Sequence, residues 1–291
     1  MLKQGTPLLG STTSLPRVCT RVGFICLCVM LVSASYPGAN ANHLETPDCG
    51  SQTAQAQVTS NLPSAALNTP IRLLSWNIQK SQTDGWDQDL KKIGNDRDIL
   101  LIQEASVQAK TQGALSRAMH AAFAAGYTTQ SQETGVLTLS AVAPSLQCSL
   151  TSWEPWLGTP KATSITKFPI ANSALTLMVI NLHAVNFTVG LEGFTHQIEA
   201  ISPALTQHTG PALLAGDFNT WSEARKAHLE KFVADHQLRA VTFTPDKRST
   251  FWDMPLDHIY LRGLRALEAQ TVAVDTSDHN PLLVTLEIEP Q

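Results

Sequence analysis

The stretch of residues 213–219 constrains the fold more than any other part of the chain. An apolar run over residues 211–215 has the length of a buried strand, and Asp217 and Asn219 follow it closely. A buried strand that ends in an acid and an amide places polar groups on a rigid support. The pattern therefore predicts a strand with polar chemistry at its tip.

Polar residues also lie at the ends of five other predicted strands. In chain order these residues are Asn77, Glu104, His183, Asp257, and Asp278 with His279. A single acid in such a place is usually a turn former rather than a ligand. Because the same class of residue recurs at successive strand ends, the pattern indicates one shared polar site.

The order of the predicted elements favours an α/β fold. Helices are predicted between the strands, over residues 86–93, 105–125, 193–208 and 222–236. Several neighbouring strands have the spacing of hairpin partners. We therefore expect two mixed sheets packed face to face, with helices outside. The sequence contains no Gly-rich phosphate loop of the GxGxxG or Walker type.

Residues 1–41 have the pattern of a secretory signal peptide. Three basic residues precede an apolar run over residues 22–32, and an Ala-Asn-Ala sequence ends at Ala41. The run is shorter than the ~20 residues that span a membrane, so cleavage near Ala41 is favoured over a retained anchor. The prediction is a secreted or periplasmic protein with an extended arm over residues 42–69 and one domain over residues 70–289.

The charge balance bears on the class of partner. Lys3, Arg17 and Arg21 are the only charged residues of the leader, so its removal changes the formal net charge from −4 to −7. An acidic chain lacks the basic footprint of a tight duplex-binding protein. Nucleic acid therefore stays a candidate substrate only if the site is locally positive. No long apolar hairpin indicates stable insertion into a membrane, and a monomer is expected.

Two of the five cysteines, Cys49 and Cys148, remain after removal of the leader. Two cysteines in an oxidising compartment indicate one disulfide. Such a bridge would tie the N-terminal arm to the domain. The alternative is a pair of unpaired buried thiols.

The polar strand ends belong to six short motifs. They are Ser-Trp-Asn-Ile (75–78), Ile-Gln-Glu (102–104), Asn-Leu-His (181–183), Gly-Asp-Phe-Asn (216–219), Leu-Asp-His-Ile (256–259) and Ser-Asp-His-Asn-Pro (277–281). In type and order this series resembles the endonuclease/exonuclease/phosphatase superfamily, which includes DNase I-like nucleases, sphingomyelinases and inositol-polyphosphate 5-phosphatases. The segments around residues 181–184 and 277–283 are most similar to an uncharacterised bacterial subgroup. The resemblance covers about residues 70–289.

The resemblance implies a DNase I-like four-layer α/β sandwich with a metal-dependent phosphoesterase site at its strand ends. It implies Glu104 as the main carboxylate ligand of Mg²⁺ or Mn²⁺, with Asn77 beside it. Asp278 is a second candidate ligand. Hard oxygen ligands suit these cations.

The same resemblance assigns the remaining motif residues to catalysis. Asp217 and Asn219 would orient the attacking water and the phosphate. His279 would contact the phosphate while Asp257 holds its ring, and His183 would stabilise developing negative charge. The proton of the water could pass to Asp217 or to His279, and both assignments stay open.

One position departs from several nuclease members of the family. Two residues after Asn77 these members have an acid that helps to hold metal, and here the residue is Gln79. A site with one cation, or with weaker binding, is one interpretation, and an ordinary polar loop residue is the other. A loop with Trp153, Trp156 and Lys161 could border the substrate, although packing near Cys148 is the favoured interpretation.

We therefore expect an exported phosphoesterase that hydrolyses a phosphodiester, with a nuclease as the leading interpretation because the family is rich in nucleases. Hydrolysis of a phospholipid or of a small phosphate ester is the alternative. A catalytically silent protein that binds a phosphate ligand is the alternative from another class, since fold alone does not establish function. The other histidines, including His258, lack metal-binding spacing and are expected to be surface or structural residues.

Overall fold

The computed structural model describes residues 65–106, 111–117, 119–128, 133–154, 157–186, 188 and 190–290. The predicted signal peptide, Cys49 and Trp156 lie outside these residues. Leu67 is buried and forms an isolated bridge with Ile170, so the last part of the predicted arm packs on the domain. Among the described residues, no helix is long and apolar enough to cross a membrane.

The strands and helices of these ranges are numbered in chain order. The strands are β1 (Ile71–Asn77), β2 (Ile99–Ser106), β3 (His120–Thr128), β4 (Glu133–Ser140), β5 (Leu146–Trp153), β6 (Pro160–Pro169), β7 (Thr176–His183), β8 (Ala212–Asp217), β9 (Arg239–Ala240), β10 (Thr250–Phe251), β11 (Met254–Pro255), β12 (Asp257–Arg262), β13 (Leu264–Thr271) and β14 (Leu282–Ile288). The helices are α1 (Trp86–Gly94), α2 (Thr111–Ala114), α3 (Glu192–Glu199), α4 (Ser202–Gln207) and α5 (Glu223–Asp235).

Two six-stranded mixed sheets organise the described residues. The first has the order β13-β14-β1-β2-β4-β3 and the second the order β5-β6-β7-β8-β12-β9, while β10 and β11 form a separate hairpin. The pairs β1–β2 and β7–β8 are parallel, and the other pairs within the two sheets are antiparallel. The expectation of mixed sheets is therefore confirmed.

Alternation along the strands divides the core into layers. Leu73 and Leu213 point into a cluster between the two sheets, and their neighbours Leu74 and Leu214 point into clusters on the outer faces. This is the period of two that a strand imposes on its side chains. Helix α1 packs on the outer face of the first sheet through Leu90, while α3, α4 and α5 pack on that of the second. The predicted four-layer sandwich is confirmed.

The helix predicted over residues 105–125 is wrong. Strand β2 continues to Ser106, and after the short helix α2 the chain forms the edge strand β3. Its alanines favour a helix in isolation, but Ala122 and Ala124 are buried with exposed or half-buried neighbours, which is the pattern of a strand. Pairing with β4, which comes later in the chain, decides the conformation.

Two further long strands, β5 and β13, are not predicted from the sequence either. Strand β5 pairs with β6 over eight positions, and β13 pairs with β14 around a bulge between Ala266 and Glu268. Both are edge or near-edge strands with polar or helix-favouring residues, so their apolar pattern is weak. The helix predicted over residues 222–236 is confirmed as α5, whose N-cap Ser222 accepts a hydrogen bond from the backbone N–H of Arg225.

Candidate active site

The sheet topology brings the polar strand ends to one place. Strands β1 and β2 are parallel, and Asn77, the last residue of β1, lies beside β2. Strands β7 and β8 are also parallel, and their last residues, His183 and Asp217, lie opposite each other. Strand β12 runs antiparallel to β8, so its first residue, Asp257, also lies opposite Asp217. His279 lies in the loop before β14, which runs antiparallel to β1. The two sheets thus present these side chains to one pocket, whose lining residues include Asn77, Glu104, His183, Asp217, Asn219, Asp278 and His279.

Unusual backbone conformations aim two of these groups. Gly216 has φ +141°, and a Cβ there would lie 1.9 Å from the carbonyl oxygen of Leu182, so only glycine fits directly before Asp217. Glu104 has φ 52° and lies where the pairing of β2 with β4 shifts register. A bulge of this kind re-aims a side chain at a cost in strain, and such strain is typical of functional sites.

Asp217 is the centre of the hydrogen-bond network. Its Oδ2 accepts from Asn77 Nδ2 at 3.1 Å, and its Oδ1 accepts from the backbone N–H of Asn219 at 2.9 Å. Asn219 Nδ2 donates in turn to the carbonyl of Ala184 at 3.0 Å. Burial raises the pKa of Asp217 to about 6, against the opposing charge of His279.

His279 is held between two carboxylates. Its Nδ1 lies 2.7 Å from Asp257 Oδ2, and its Nε2 lies 3.8 Å from Asp217 Oδ2. Burial acts to lower the pKa of His279, but the charges of Asp257 and Asp217 outweigh it and raise the pKa to about 10. The imidazole is therefore a cation at neutral pH. Its loop is fixed by Trp76, whose Nε1 donates to the carbonyl of His279 at 2.8 Å.

His183 lies on the opposite side of Asp217, at 3.6 Å between Nε2 and Oδ2. Lys161 Nζ is 3.1 Å from the same Nε2. Because an ammonium group only donates, Nε2 is the acceptor and the ring proton lies on Nδ1. Burial, followed by the charge of Lys161, holds the pKa of His183 well below its usual value, so the ring is neutral.

Lys80 and Lys161 are site residues that the sequence interpretation missed or disfavoured. The turn Gln79–Ser81 has three left-handed residues in succession and directs Lys80 Nζ to 3.5 Å from Glu104 Oε2. The backbone N–H of Gln79 donates to Asn77 Oδ1 at 3.0 Å. The expectation that Trp153 and Lys161 pack is wrong, since Trp153 is 62% exposed and Lys161 lines the pocket.

The donor set at this pocket could bind a metal ion. Asp217, Asp257 and His279 each offer one ligand atom, and these atoms lie within 4.8 Å of one another. Glu104 adds a carboxylate whose Oε1 is 3.8 Å from His183 Nε2 and whose Oε2 already faces the ammonium group of Lys80. Carboxylate and amide oxygens in this number fit a hard divalent cation.

Two motif residues beneath the pocket tie the sheets together. Asn181 Oδ1 accepts from Gln103 Nε2 at 2.7 Å, and Asn181 Nδ2 donates to the carbonyl of Leu137 at 3.2 Å. Both side chains are fully buried, so they support the site without facing it. Buried amides are retained where hydrogen bonds of this kind hold them.

Comparison with known proteins identifies the class. The sequence profile described as Endonuclease/Exonuclease/phosphatase family matches residues 74–279. Among solved structures, an endonuclease/exonuclease/phosphatase from Beutenbergia cavernae superposes with a TM-score of 0.59 at 14% identity, over 75% of this chain and 72% of that one. The human Nocturnin catalytic domain, which holds a sulfate anion, gives a TM-score of 0.58 at 16% identity, over 78% and 97%.

The chain belongs to the endonuclease/exonuclease/phosphatase family. Within this family it is similar to the UPF0294 protein of Vibrio campbellii, with 39% identity over 228 residues, which are 76% of this chain and 79% of that protein. The resemblance inferred from the six motifs, including the bacterial subgroup, is confirmed.

Proposed function

We propose that the protein is a divalent-metal-dependent phosphoesterase that hydrolyses a phosphodiester. The observation that carries the proposal is the buried cluster of Asp217, Asp257 and His279, of which Asp217 and His279 line a pocket together with Glu104 and Lys161. Membership of a phosphoesterase family supports it. A silent binding protein would not need a buried carboxylate–histidine pair at 2.7 Å beside a carboxylate with a raised pKa.

The cofactor we propose is Mg²⁺ or Mn²⁺. Glu104 would hold it, with Asn77 beside it, and Asp278 lines the same pocket as a further oxygen donor. When bound, the cation supplies positive charge that offsets the negative charge developing on the phosphate oxygens. The neutral Gln79 in place of an acid leaves fewer ligands, which favours a single cation.

Side chains of the protein itself carry out the other steps of the proposed reaction. His279, cationic and fixed by Asp257, donates a hydrogen bond from Nε2 to a phosphate oxygen. Asp217, with its pKa raised to about 6, accepts the proton of the attacking water. This assignment selects Asp217 over His279 as the base, because a histidine that is already protonated cannot accept a proton. Asn219 orients the phosphate from the second sheet, and His183, whose Nε2 accepts from Lys161, positions that ammonium group.

The positive charge needed for an anionic substrate is local. Lys80 and Lys161 both line the pocket of a chain whose formal net charge is −4. The pocket has a volume of about 370 Å³, near the lower end for small-molecule sites. Nuclease action on a strand end and hydrolysis of a small phosphodiester both fit this description.

Hydrolysis of aryl phosphodiesters tests the proposal. We expect turnover with Mg²⁺ or Mn²⁺ that chelator abolishes, and a loss of at least about 100-fold in Glu104→Gln, because the main cation ligand is removed. The matched control is Glu268→Gln, the same change at an exposed position of β13, which keeps the wild-type rate. Absence of metal-dependent turnover on nucleic acids, phospholipids and small diesters would contradict the proposal, as would a fully active Glu104→Gln.

Export and the Cys49–Cys148 disulfide are further proposals that rest on the leader sequence and on two remaining cysteines. Amino-terminal sequencing of protein from the cell exterior should find Asn42 at or near the start. Mass spectrometry without reductant should find no free thiol. An intact leader would contradict the proposed export, and two alkylated cysteines would contradict the proposed disulfide.

A further inference from the structure

The pocket has two unlike halves. One half holds the charged and hydrogen-bonding groups already described. The other half is lined by weakly polar residues, of which Gly126, Gly135 and Pro160 lie next to one another, together with Tyr127, Leu157 and Ala162. Lys161 lies in the same strand between Pro160 and Ala162, at the border of the two halves.

The floor of this second half is closed by backbone. A Cβ at Gly135 would lie 2.0 Å from the carbonyl oxygen of Ala124, and one at Gly126 would lie 3.1 Å from the carbonyl oxygen of Pro160. The Gly135 contact lies between the paired strands β4 and β3 of the first sheet, whereas the Gly126 contact lies between β3 and β6 of the second. Backbone without side chains therefore lines the pocket at these two glycines.

Two exposed apolar side chains form the walls. Tyr127, at the end of β3, is 42% exposed, and Leu157 is 57% exposed. Leaving such side chains in water is unfavourable unless something covers them. Among the described residues only six large hydrophobic side chains are exposed, and two of them line this one pocket.

The segment that carries Leu157 is braced. The backbone N–H of Glu154 donates to the carbonyl of Thr159 at 2.9 Å, and that of Gly158 donates to the carbonyl of Glu154 at 2.9 Å. The Glu154 carboxylate is buried and accepts from the backbone N–H of Asn186 at 2.7 Å and from the hydroxyl of Thr159. These hydrogen bonds hold Gly158 and Thr159, which directly follow Leu157, against Glu154.

The hydroxyl groups of the two threonines at this half are engaged within the protein. Thr134 Oγ1 donates to the carbonyl of Tyr127 at 3.0 Å, and Thr159 Oγ1 donates to Glu154. The surface offered to a ligand is therefore a flat backbone floor, one aromatic ring and one aliphatic side chain. A planar ring fits such a slot, because it stacks on tyrosine and needs few hydrogen bonds.

We propose that this second half is a subsite for a planar aromatic ring on the organic part of the phosphodiester, with Tyr127 and Leu157 as its specificity-determining residues. The inference rests on the proposed phosphoesterase function and deepens it. The substrate class is a phosphodiester with an aryl- or nucleobase-sized ring near the scissile phosphate. A simple alkyl or polyol ester would leave the subsite uncovered.

Two esters that differ in one organic group test this subsite. The phenyl ester is methyl phenyl phosphate and the methyl ester is dimethyl phosphate, so only the first carries a ring that the subsite would receive, and each variant is compared with wild type on the same ester. In Tyr127→Ala and Leu157→Ala we expect kcat/KM for the phenyl ester to fall about 5- to 10-fold through KM. The methyl ester should change less than about twofold, since it does not reach these residues.

Two control variants sharpen the comparison. Tyr127→Phe keeps the ring and should keep the preference for the phenyl ester. Leu267→Ala removes an exposed leucine of β13 that does not line the pocket, and both rates should stay at the wild-type value. Equal losses for both esters, or no loss for either in Tyr127→Ala, would overturn the subsite.

Binding measured without turnover separates this inference from the proposed function. Calorimetry with phenylphosphonate and methylphosphonate should show tighter binding of the phenyl compound by about 5-fold or more, and Tyr127→Ala should remove the difference. Equal affinities would overturn the subsite even if diesters are hydrolysed. Absence of metal-dependent hydrolysis with a retained phenyl preference would overturn the proposed function alone.

Discussion

Two histidines beside the start of strand β12, His279 in the loop before β14 and His258 within β12, have opposite protonation states. On one side, Asp257 holds His279 and its carboxylate, with that of Asp217, raises the pKa of the imidazole to about 10. On the other side, burial and then the charge of Arg248 lower the pKa of His258 to about 3. The sequence places His258 directly after Asp257, so proximity along the chain does not determine the charge.

The surroundings of His258 explain the difference. Its Nδ1 lies 3.3 Å from Arg248 Nη1, and its Nε2 lies 3.1 Å from the carbonyl of Pro255. Because arginine only donates, Nδ1 is an acceptor and the neutral ring carries its proton on Nε2. The ring also stacks on Tyr260, with centroids 5.7 Å apart. His258 is thus a packing residue, as the sequence interpretation expected, whereas His279 is a charged group in the pocket.

The largest expected effect separates the two histidines by activity. His279→Ala should lower kcat for metal-dependent diester hydrolysis by about 10³-fold, because it removes a cation that contacts the phosphate. His258→Gln should stay within about threefold of wild type, since an amide can still donate to the Pro255 carbonyl. Initial rates on an aryl diester measure both, and equal losses in the two variants would remove the distinction.

The second effect concerns stability at acid pH. A histidine whose pKa is lowered by folding binds fewer protons folded than unfolded between about pH 3 and 6.5, so its contribution falls as the pH falls through this window. The stability difference between wild type and His258→Gln should therefore shift against wild type by about 2 to 3 kcal/mol between pH 7 and 4.5. Urea unfolding with chelator at both pH values measures it.

His279→Gln is the control for this experiment, because the pKa of His279 is raised by folding whereas that of His258 is lowered, so stability depends on pH with the opposite sign. A raised pKa contributes stability that is complete below the unfolded value near 6.5 and is lost as the pH rises towards about 10. Its difference from wild type should thus change on the alkaline side. Should His258→Gln show no pH-dependent difference between pH 7 and 4.5, the buried neutral state assigned to His258 would be wrong.

The smallest expected effect concerns Lys161. Replacing it by methionine should lower kcat/KM about 10-fold, equivalent to about 1.4 kcal/mol, since a positive charge at the phosphate is lost. Lys167→Met is the matched control, because Lys167 lies in the same strand but does not line the pocket. Steady-state kinetics at fixed Mg²⁺ measure both, and a loss no greater in Lys161→Met than in Lys167→Met would exclude a role in charge stabilisation.

Much of the fold was predictable because its core strands carry their signal locally. The closing strand was predicted over residues 282–288, which are the bounds of β14, and its apolar run needs no partner to be recognised. The sequence predicts a helix over the residues of β3, because its alanines favour a helix in isolation and do not indicate which strand lies beside them. Edge strands depend on their neighbours, and a single sequence does not show which neighbours these are.

The residues of the site likewise fall into those that the sequence predicts and those that it does not. Six motifs predicted that Glu104, Asp217 and His279 share one pocket, since acids and histidines recur at strand ends in a fixed order. Lys80 and Lys161 belong to no such recurring motif, so the sequence did not predict them as site residues. A lysine in a loop or at a strand start has no distinctive pattern, and its side chain reaches a site only through the turn or the sheet contact that aims it.

The sequence by itself determined which polar side chains end the core strands, and so the family and the class of chemistry. The tertiary structure alone decided the charge of each group and the shape beside it. Asp257 and His258 are adjacent residues, yet one faces His279 and the other meets Arg248 and Tyr260. A pKa depends on desolvation and on charges from distant segments, and the proposed ring subsite depends on how closely β3 approaches β6 at Gly126.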